Sequence, residues 1–176
     1  MSEAFTFWHR VGAWELALCG RANRICRREG VRRLFAAVSR LGDGWLWYGI
    51  MALLPVVDGY PGLAVSARMA VAGCLGVMVY KFIKHGTGRP RPYTLMPGIC
   101  LGAPPLDRYS FPSGHTLHAV SFSLICVQAY PWLGWFLVPF TLLVAVSRVV
   151  LGLHYPTDVA AGALAGAGLA LLVSMG

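Results

Sequence analysis

Long apolar stretches separated by short polar joints run along most of this chain, and the stretches have the length of a bilayer. A helix needs about 20 mainly apolar residues to cross a hydrocarbon core of about 30 Å. Five windows approach that size: 44–60, with Asp58 at its far end, then 63–83, 114–130, 131–150 and 157–174. The pattern predicts an all-α, polytopic membrane helix bundle of about five transmembrane helices. In the last window small residues recur every fourth position, at Gly162 and Gly166 and at Ala161 and Ala165, a spacing that lets helix backbones approach closely.

Residues 1–43 read differently. Trp14, Leu16, Leu18, Ile25, Leu34, Phe35 and Val38 are set among arginines, which predicts an amphipathic, helical arm on an anionic membrane surface. The expected organisation is a basic interfacial arm over 1–43 and a transmembrane domain over 44–176. His9, Arg10 and Glu15 interrupt the early apolar run, and the arginines follow it rather than precede it, so it is expected to stay in the mature protein.

Composition sharpens the picture. Hydrophobic residues make up 57% of the 176 and charged residues only 12%, against about a quarter charged in a soluble domain, which argues against a soluble enzyme. Eight of the 15 Lys and Arg lie in the first 43 residues, at Arg10, Arg21, Arg24, Arg27, Arg28, Arg32, Arg33 and Arg40. Basic runs also suit nucleic acid, but the interleaved aromatics and the spans behind them point to the bilayer, with no nucleic-acid partner. Short Lys- and Arg-rich segments stay cytoplasmic, so the arm is expected on that face, in an inner (plasma) membrane. The far-side joints would be 58–62 and 130–131, neither holding Lys or Arg. A sixth span over 5–20 would move the opposite end of the bundle to the cytoplasm. Five scattered cysteines, Cys19, Cys26, Cys74, Cys100 and Cys126, indicate neither a disulfide framework nor a zinc site.

An ionisable group within a membrane segment is costly and therefore marks function. From residue 109 to the end, only Arg148 and Asp158 are formally charged. Three clusters collect such groups. Lys84-His-Gly-Thr-Gly-Arg-Pro-Arg91-Pro92 closes the second window, Phe111-Pro-Ser113-Gly114-His115 opens the third, and 147–158, with Arg148, His154 and Asp158, joins the last two. Alternate crossing places all three at one end of the bundle. No acid lies between Pro61 and Leu106, so Lys84 and Arg91 read as unpartnered cations that want an anion; Lys81 and Arg89 suit a topological anchor as well. Pro112 and Ser113 predict a helix start whose free N–H groups, with close approach at Gly114, favour an anion to which Ser113 adds its hydroxyl and beside which His115 sits. His118 reads as a hydrogen-bonded structural residue. Pro156 predicts the start of the last helix, with Asp158 in its first turn, placed to orient one nitrogen of His154 and leave the other free to attack. A plain salt bridge of Asp158 to Arg148 is the alternative, and it leaves His154 unexplained.

Together, Lys84-x6-Arg91-Pro92, Pro112-Ser113-Gly114-His115 and Ser147-Arg148-x5-His154-x3-Asp158 resemble the three-part signature of the type 2 phosphatidic acid phosphatase superfamily. The resemblance covers about residues 40 to 176. It implies that His154 is the nucleophile, oriented by Asp158, and that His115 is the acid for the leaving oxygen and then the base for water. Lys84, Arg91, Ser113, the Gly114 amide and Arg148 are then the phosphate ligands. It also implies no metal and no cofactor, and only Asp107 and Asp158 are acidic after residue 58, too few for a two-metal site. The soluble vanadate-dependent haloperoxidases share the signature, and five spans argue against that branch. The expected activity is hydrolysis of a lipid phosphate: phosphatidic acid, phosphatidylglycerol phosphate or a polyprenyl diphosphate. A non-catalytic, anionic-lipid-binding membrane protein is the other class; it needs the cations but has no use for an oriented His-Asp pair.

Overall fold

The computed structural model describes residues 3–175, and side chains over 12–175. Met1, Ser2 and the Arg10 side chain of the predicted arm, and Gly176 of the predicted domain, lie outside the described residues.

The regular elements of the described residues are helices, in the order α1 (Glu3–Asn23), a 3-10 turn (Arg24–Arg27), α2 (Glu29–Arg40), a π segment (Leu41–Trp45), α3 (Leu46–Thr87), the one-turn α4 (Pro92–Leu95), α5 (Gly114–Ala129), a 3-10 turn (Pro131–Leu133), α6 (Gly134–Val150) and α7 (Pro156–Ser174). Each of the five predicted windows is helical. Among the described residues, three helical runs, Glu29–Leu95, Pro131–Val150 and Pro156–Ser174, are long and apolar enough to cross a membrane.

The first two windows form one helical run broken at Gly59, whose φ of 57° and ψ of −128° suit only glycine. Pro61 stands just beyond it, where a lost N–H is harmless to the second arm. The chain turns back there, and the Ser66 hydroxyl donates to the Met51 carbonyl at 2.9 Å across the two arms of the hairpin. At the same end the Tyr130 hydroxyl donates to Asp58 Oδ2 at 2.6 Å. The two joints that the alternation of spans assigns to one face therefore touch.

With 16 residues, α5 extends only about 24 Å, and it is the most enclosed element. It packs between the α3 hairpin, α6 and α7. A Cβ at Gly162 would lie 2.5 Å from the Ser113 carbonyl oxygen, and one at Gly166 would lie 2.3 Å from that of Leu117. The small-residue repeat of α7 thus brings two backbones into contact. The apolar core sits at the other side of α5, where Trp47 meets Phe122 and Phe140 edge-on at 5.4 and 5.9 Å, beside Met69, Leu137 and Val144. Helices α1 and α2 pack against α6, and α1 also reaches α7.

Candidate active site

The site lies where α3 ends, α5 and α7 begin and α6 ends. Lys84 occupies the last turn of α3, which stops as Gly88 takes a left-handed conformation and donates its N–H to the Lys84 carbonyl at 3.0 Å. Beyond it Arg89, Pro90 and Arg91 run extended, and Ser110 returns to them, donating its N–H to the Arg89 carbonyl at 2.9 Å. Ser113 caps α5 and donates its own N–H to the Asp158 carbonyl at 2.9 Å. The segment after Arg148 folds back on it, with the N–H groups of Leu153 and His154 both donating to the Arg148 carbonyl. Pro156 opens α7, and Asp158 Oδ2 accepts the Tyr155 N–H at 2.8 Å.

These elements enclose a cavity of about 430 Å³. Its charged wall holds Lys84, Arg91, Asp107, His115, Arg148 and His154, together with Asp43 and Gly114. Away from that wall the lining turns apolar, through Gly73, Val77, Met69 and Met51 between the two arms of α3. His154 Nε2 faces the cavity 3.2 Å from Arg91 Nη1, which also donates to the Leu153 carbonyl at 2.8 Å. Facing a guanidinium donor, Nε2 carries the lone pair and Nδ1 the proton. His154 Nδ1 lies 3.5 Å from Asp158 Oδ2, within ion-pair reach but outside a formed hydrogen bond. Burial, then the charges of Arg148, Arg91 and Lys84, hold the His154 imidazole well below its ordinary pKa. A neutral, directed imidazole among three cations is suited to attack on an anion that those cations bind.

Of the predicted residues, Lys84, Arg91, Gly114, His115, Arg148 and His154 share this cavity, and Asp158 stands behind His154 with no exposure. Ser113 is placed differently. It is fully buried and not part of the lining, and its oxygen accepts from the Thr116 N–H at 3.4 Å and hydroxyl at 3.0 Å. Its hydroxyl holds the helix start whose next residues face the cavity. His118 Nε2 donates to the Gly73 carbonyl, 3.3 Å away, and the ring stacks on Phe122, a structural setting that also borders the cavity.

The expectation that Lys84 and Arg91 lack a carboxylate is corrected. Asp107 places Oδ2 at 2.6 Å from Lys84 Nζ and Oδ1 at 2.7 Å from Arg91 Nη2. Burial raises the Asp107 carboxyl, but the hydrogen bond and charge of Lys84, followed by those of Arg91, outweigh it and leave it below its usual range. The salt bridge weighed between Asp158 and Arg148 is not formed. Asp158 Oδ1 pairs with Arg89 Nη1 at 2.6 Å, whereas Arg148 donates to the Ser39 hydroxyl and leaves its Nε without a partner. Arg89 is therefore more than an anchor.

Three contributors escaped the sequence reading, Asp107, Asp43, whose Oδ1 lies 3.4 Å from His115 Nε2, and Glu15, which is fully buried against Arg89, and the pairing of Arg89 with two carboxylates was not foreseen. The rarity that singled out Arg148 and Asp158 applies equally to Glu15, an isolated acid in an apolar run. Among the described residues no three His, Cys, Asp or Glu side chains group as a metal site.

The family model described as PAP2 superfamily matches residues 63–175. An undecaprenyl-diphosphatase of Sulfolobus acidocaldarius is 26% identical over 151 residues, 85% of this chain and 71% of that protein. A decaprenylphosphoryl-5-phosphoribose phosphatase of Mycobacterium tuberculosis is 30% identical over 151 residues, 83% of this chain and 80% of that protein. Among solved structures, the transmembrane PAP2 type phosphatidylglycerolphosphate phosphatase of Bacillus subtilis superposes with a TM-score of 0.75 at 24% identity, covering 94% of this chain and 85% of that one. At that identity the likeness speaks for the fold.

Proposed function

The chain belongs to the PAP2 superfamily, and from that premise we propose that it is a phosphohistidine-forming phosphatase of a polyprenyl-linked phosphate or diphosphate. It is an integral membrane lipid-phosphate phosphatase. The observation that carries the finer reading is the His154 ring itself, with Nε2 turned to the cationic wall of the cavity beside Arg91 and Nδ1 turned to Asp158.

In the first step Nε2 attacks phosphorus, the N–P bond forms and the bond from phosphorus to the leaving oxygen breaks. His115 gives its proton to that oxygen. In the second step water attacks the same phosphorus, its proton passes to His115, the N–P bond breaks and inorganic phosphate leaves. For a diphosphate the leaving group is the lipid monophosphate. Lys84, Arg91, Arg148 and the Gly114 N–H balance the charge on the phosphate oxygens, with Ser113 setting the helix start that presents Gly114.

The polyprenyl assignment draws on the two relatives named above, an undecaprenyl and a decaprenyl phosphatase. The apolar side of the cavity, lined from both arms of α3, supports a place for the lipid chain beside the phosphate. The arginine-rich arm supports a site on the cytoplasmic face of an inner membrane. Phosphate release in detergent from a polyprenyl diphosphate, a polyprenylphosphoryl pentose phosphate and phosphatidic acid, for wild type and His154→Ala, tests the reading. Preference for the polyprenyl substrates and loss of release in the variant are expected; equal release by wild type and His154→Ala would overturn the nucleophile, and preference for phosphatidic acid the substrate. Thiol accessibility of cysteines added at each terminus tests the face.

A further inference from the structure

We propose that Glu15, on the helix that the sequence sets apart from the catalytic body, is a positioning residue for the transfer step: it shares the Arg89 guanidinium with Asp158, so that the group behind His154 keeps a net negative charge. The inference rests on His154 as the nucleophile.

Glu15 has no exposure, although it lies on α1 and is 139 positions from His154. Its Oε2 is 2.5 Å from Arg89 Nη2, and its Oε1 accepts the Thr157 N–H at 2.9 Å and the Thr157 hydroxyl at 2.6 Å. The other amino group of Arg89 is 2.6 Å from Asp158 Oδ1 and 2.8 Å from the Thr157 hydroxyl, and the guanidinium lies over the Tyr155 ring at 4.0 Å. One guanidinium thus stands between two buried carboxylates, which sums to a single negative formal charge. Further contacts hold α1 in place: Asn23 donates to the Cys100 and Val150 carbonyls at 2.8 Å each, and the Cys19 thiol faces the His154 carbonyl at 3.6 Å.

The charge balance matters because of what stands on the other side of the ring. Lys84, Arg91 and Arg148 face His154 from the cavity, and His115 shares that wall. When Nε2 bonds to phosphorus, the imidazole takes on positive charge while those cations remain. Its stabilisation must come from behind, through Nδ1–H and Asp158. If Arg89 faced Asp158 alone, the pair would be neutral and would supply little. With Glu15 sharing the guanidinium, the group behind the ring stays anionic.

Glu15→Gln removes the charge while its amide oxygen still accepts both Thr157 hydrogen bonds. In the phosphate-release assay with a polyprenyl diphosphate, kcat is expected to fall about tenfold with KM within about twofold of wild type. The acid limb of kcat/KM should move to lower pH, because a ring with less negative charge behind it holds a proton less readily. Glu15→Gln combined with Arg89→Gln restores the single negative charge, so the double variant is expected to regain most of the lost kcat and the wild-type limb. A structural role for Glu15 would leave the double variant at least as slow as the single. Wild-type kcat in a folded Glu15→Gln, or no recovery in the double variant, would overturn the proposal. Should the single variant not fold, the double variant decides alone: kcat within about threefold of wild type supports the charge balance, and a tenfold loss rejects it. His154→Ala is run beside them, since phosphate release that survives that substitution rejects the nucleophile and not Glu15.

Discussion

The carboxylate of Asp107 meets the guanidinium of Arg91 at 2.7 Å, on the wall of the cavity proposed to bind the substrate phosphate. Its second oxygen reaches Lys84 at 2.6 Å. Asp107 therefore satisfies, inside the protein, the two cations that a phosphate would satisfy. Asp107→Asn removes that competitor. KM for the lipid phosphate, and the inhibition constant of inorganic phosphate, are expected to fall about fivefold, the worth of a part-exposed ion pair. Steady-state kinetics with phosphate as the competitor measures both; a rise in KM would mean that Asp107 helps to hold the substrate.

The pH dependence has a definite sign. As the proposed nucleophile, His154 attacks only when neutral, and burial depresses its folded pKa. The acid limb of kcat/KM is expected to lie below about 6.5, the ordinary value for histidine. Below that ordinary value the unfolded chain binds a proton that the folded chain refuses, so the stability linked to His154 is full above it and declines as pH falls. A pH series of kcat/KM and of Tm in detergent checks both.

The proposed protonation of the leaving oxygen by His115 matters most for a poor leaving group. His115→Gln is expected to slow release from phosphatidic acid by about 10² to 10⁴, and to slow release from an aryl phosphate far less. Equal losses for the two substrates would remove His115 from the acid role. The same comparison on Asp43→Asn tests whether the contact at 3.4 Å supports that role.

Helix contact through α7 predicts a stability effect with its own control. At Gly166 a new Cβ would stand 2.3 Å from the Leu117 carbonyl oxygen, whereas at Gly168 nothing lies within 4 Å. Gly166→Ala should cost about 1–3 kcal/mol as an overpacked site and lower activity, because α5 and α7 carry His115 and Asp158. Gly168→Ala should leave Tm and activity near wild type.

Metal independence is checked by dialysis against a chelator, after which phosphate release should be unchanged. Loss of activity that magnesium restores would count against it.

Much of this was legible before any coordinate. Apolar runs of bilayer length, the Gly and Pro joints and the three motif clusters depend on local spacing, and alternate crossing of the membrane carries spacing into a common end. Tyr130 and Asp58 meet at 2.6 Å because each closes an odd number of crossings, three and one, from the same face. The repeat of Gly162 and Gly166 named a packing face without its partner. That partner is the start of α5, which only the assembled bundle identifies.

The chain alone determined which residues are chemical, because a charge in an apolar segment has to be explained by a partner. It did not determine the partners. Ion pairing acts over a few ångströms in space and is indifferent to separation along the chain. Arg89 therefore lies between Glu15 and Asp158, 143 positions apart, and Asp107 returns from a loop of no regular pattern to cover Lys84 and Arg91. The scarcity of charge marked the site, and the tertiary structure decided how each charge is balanced.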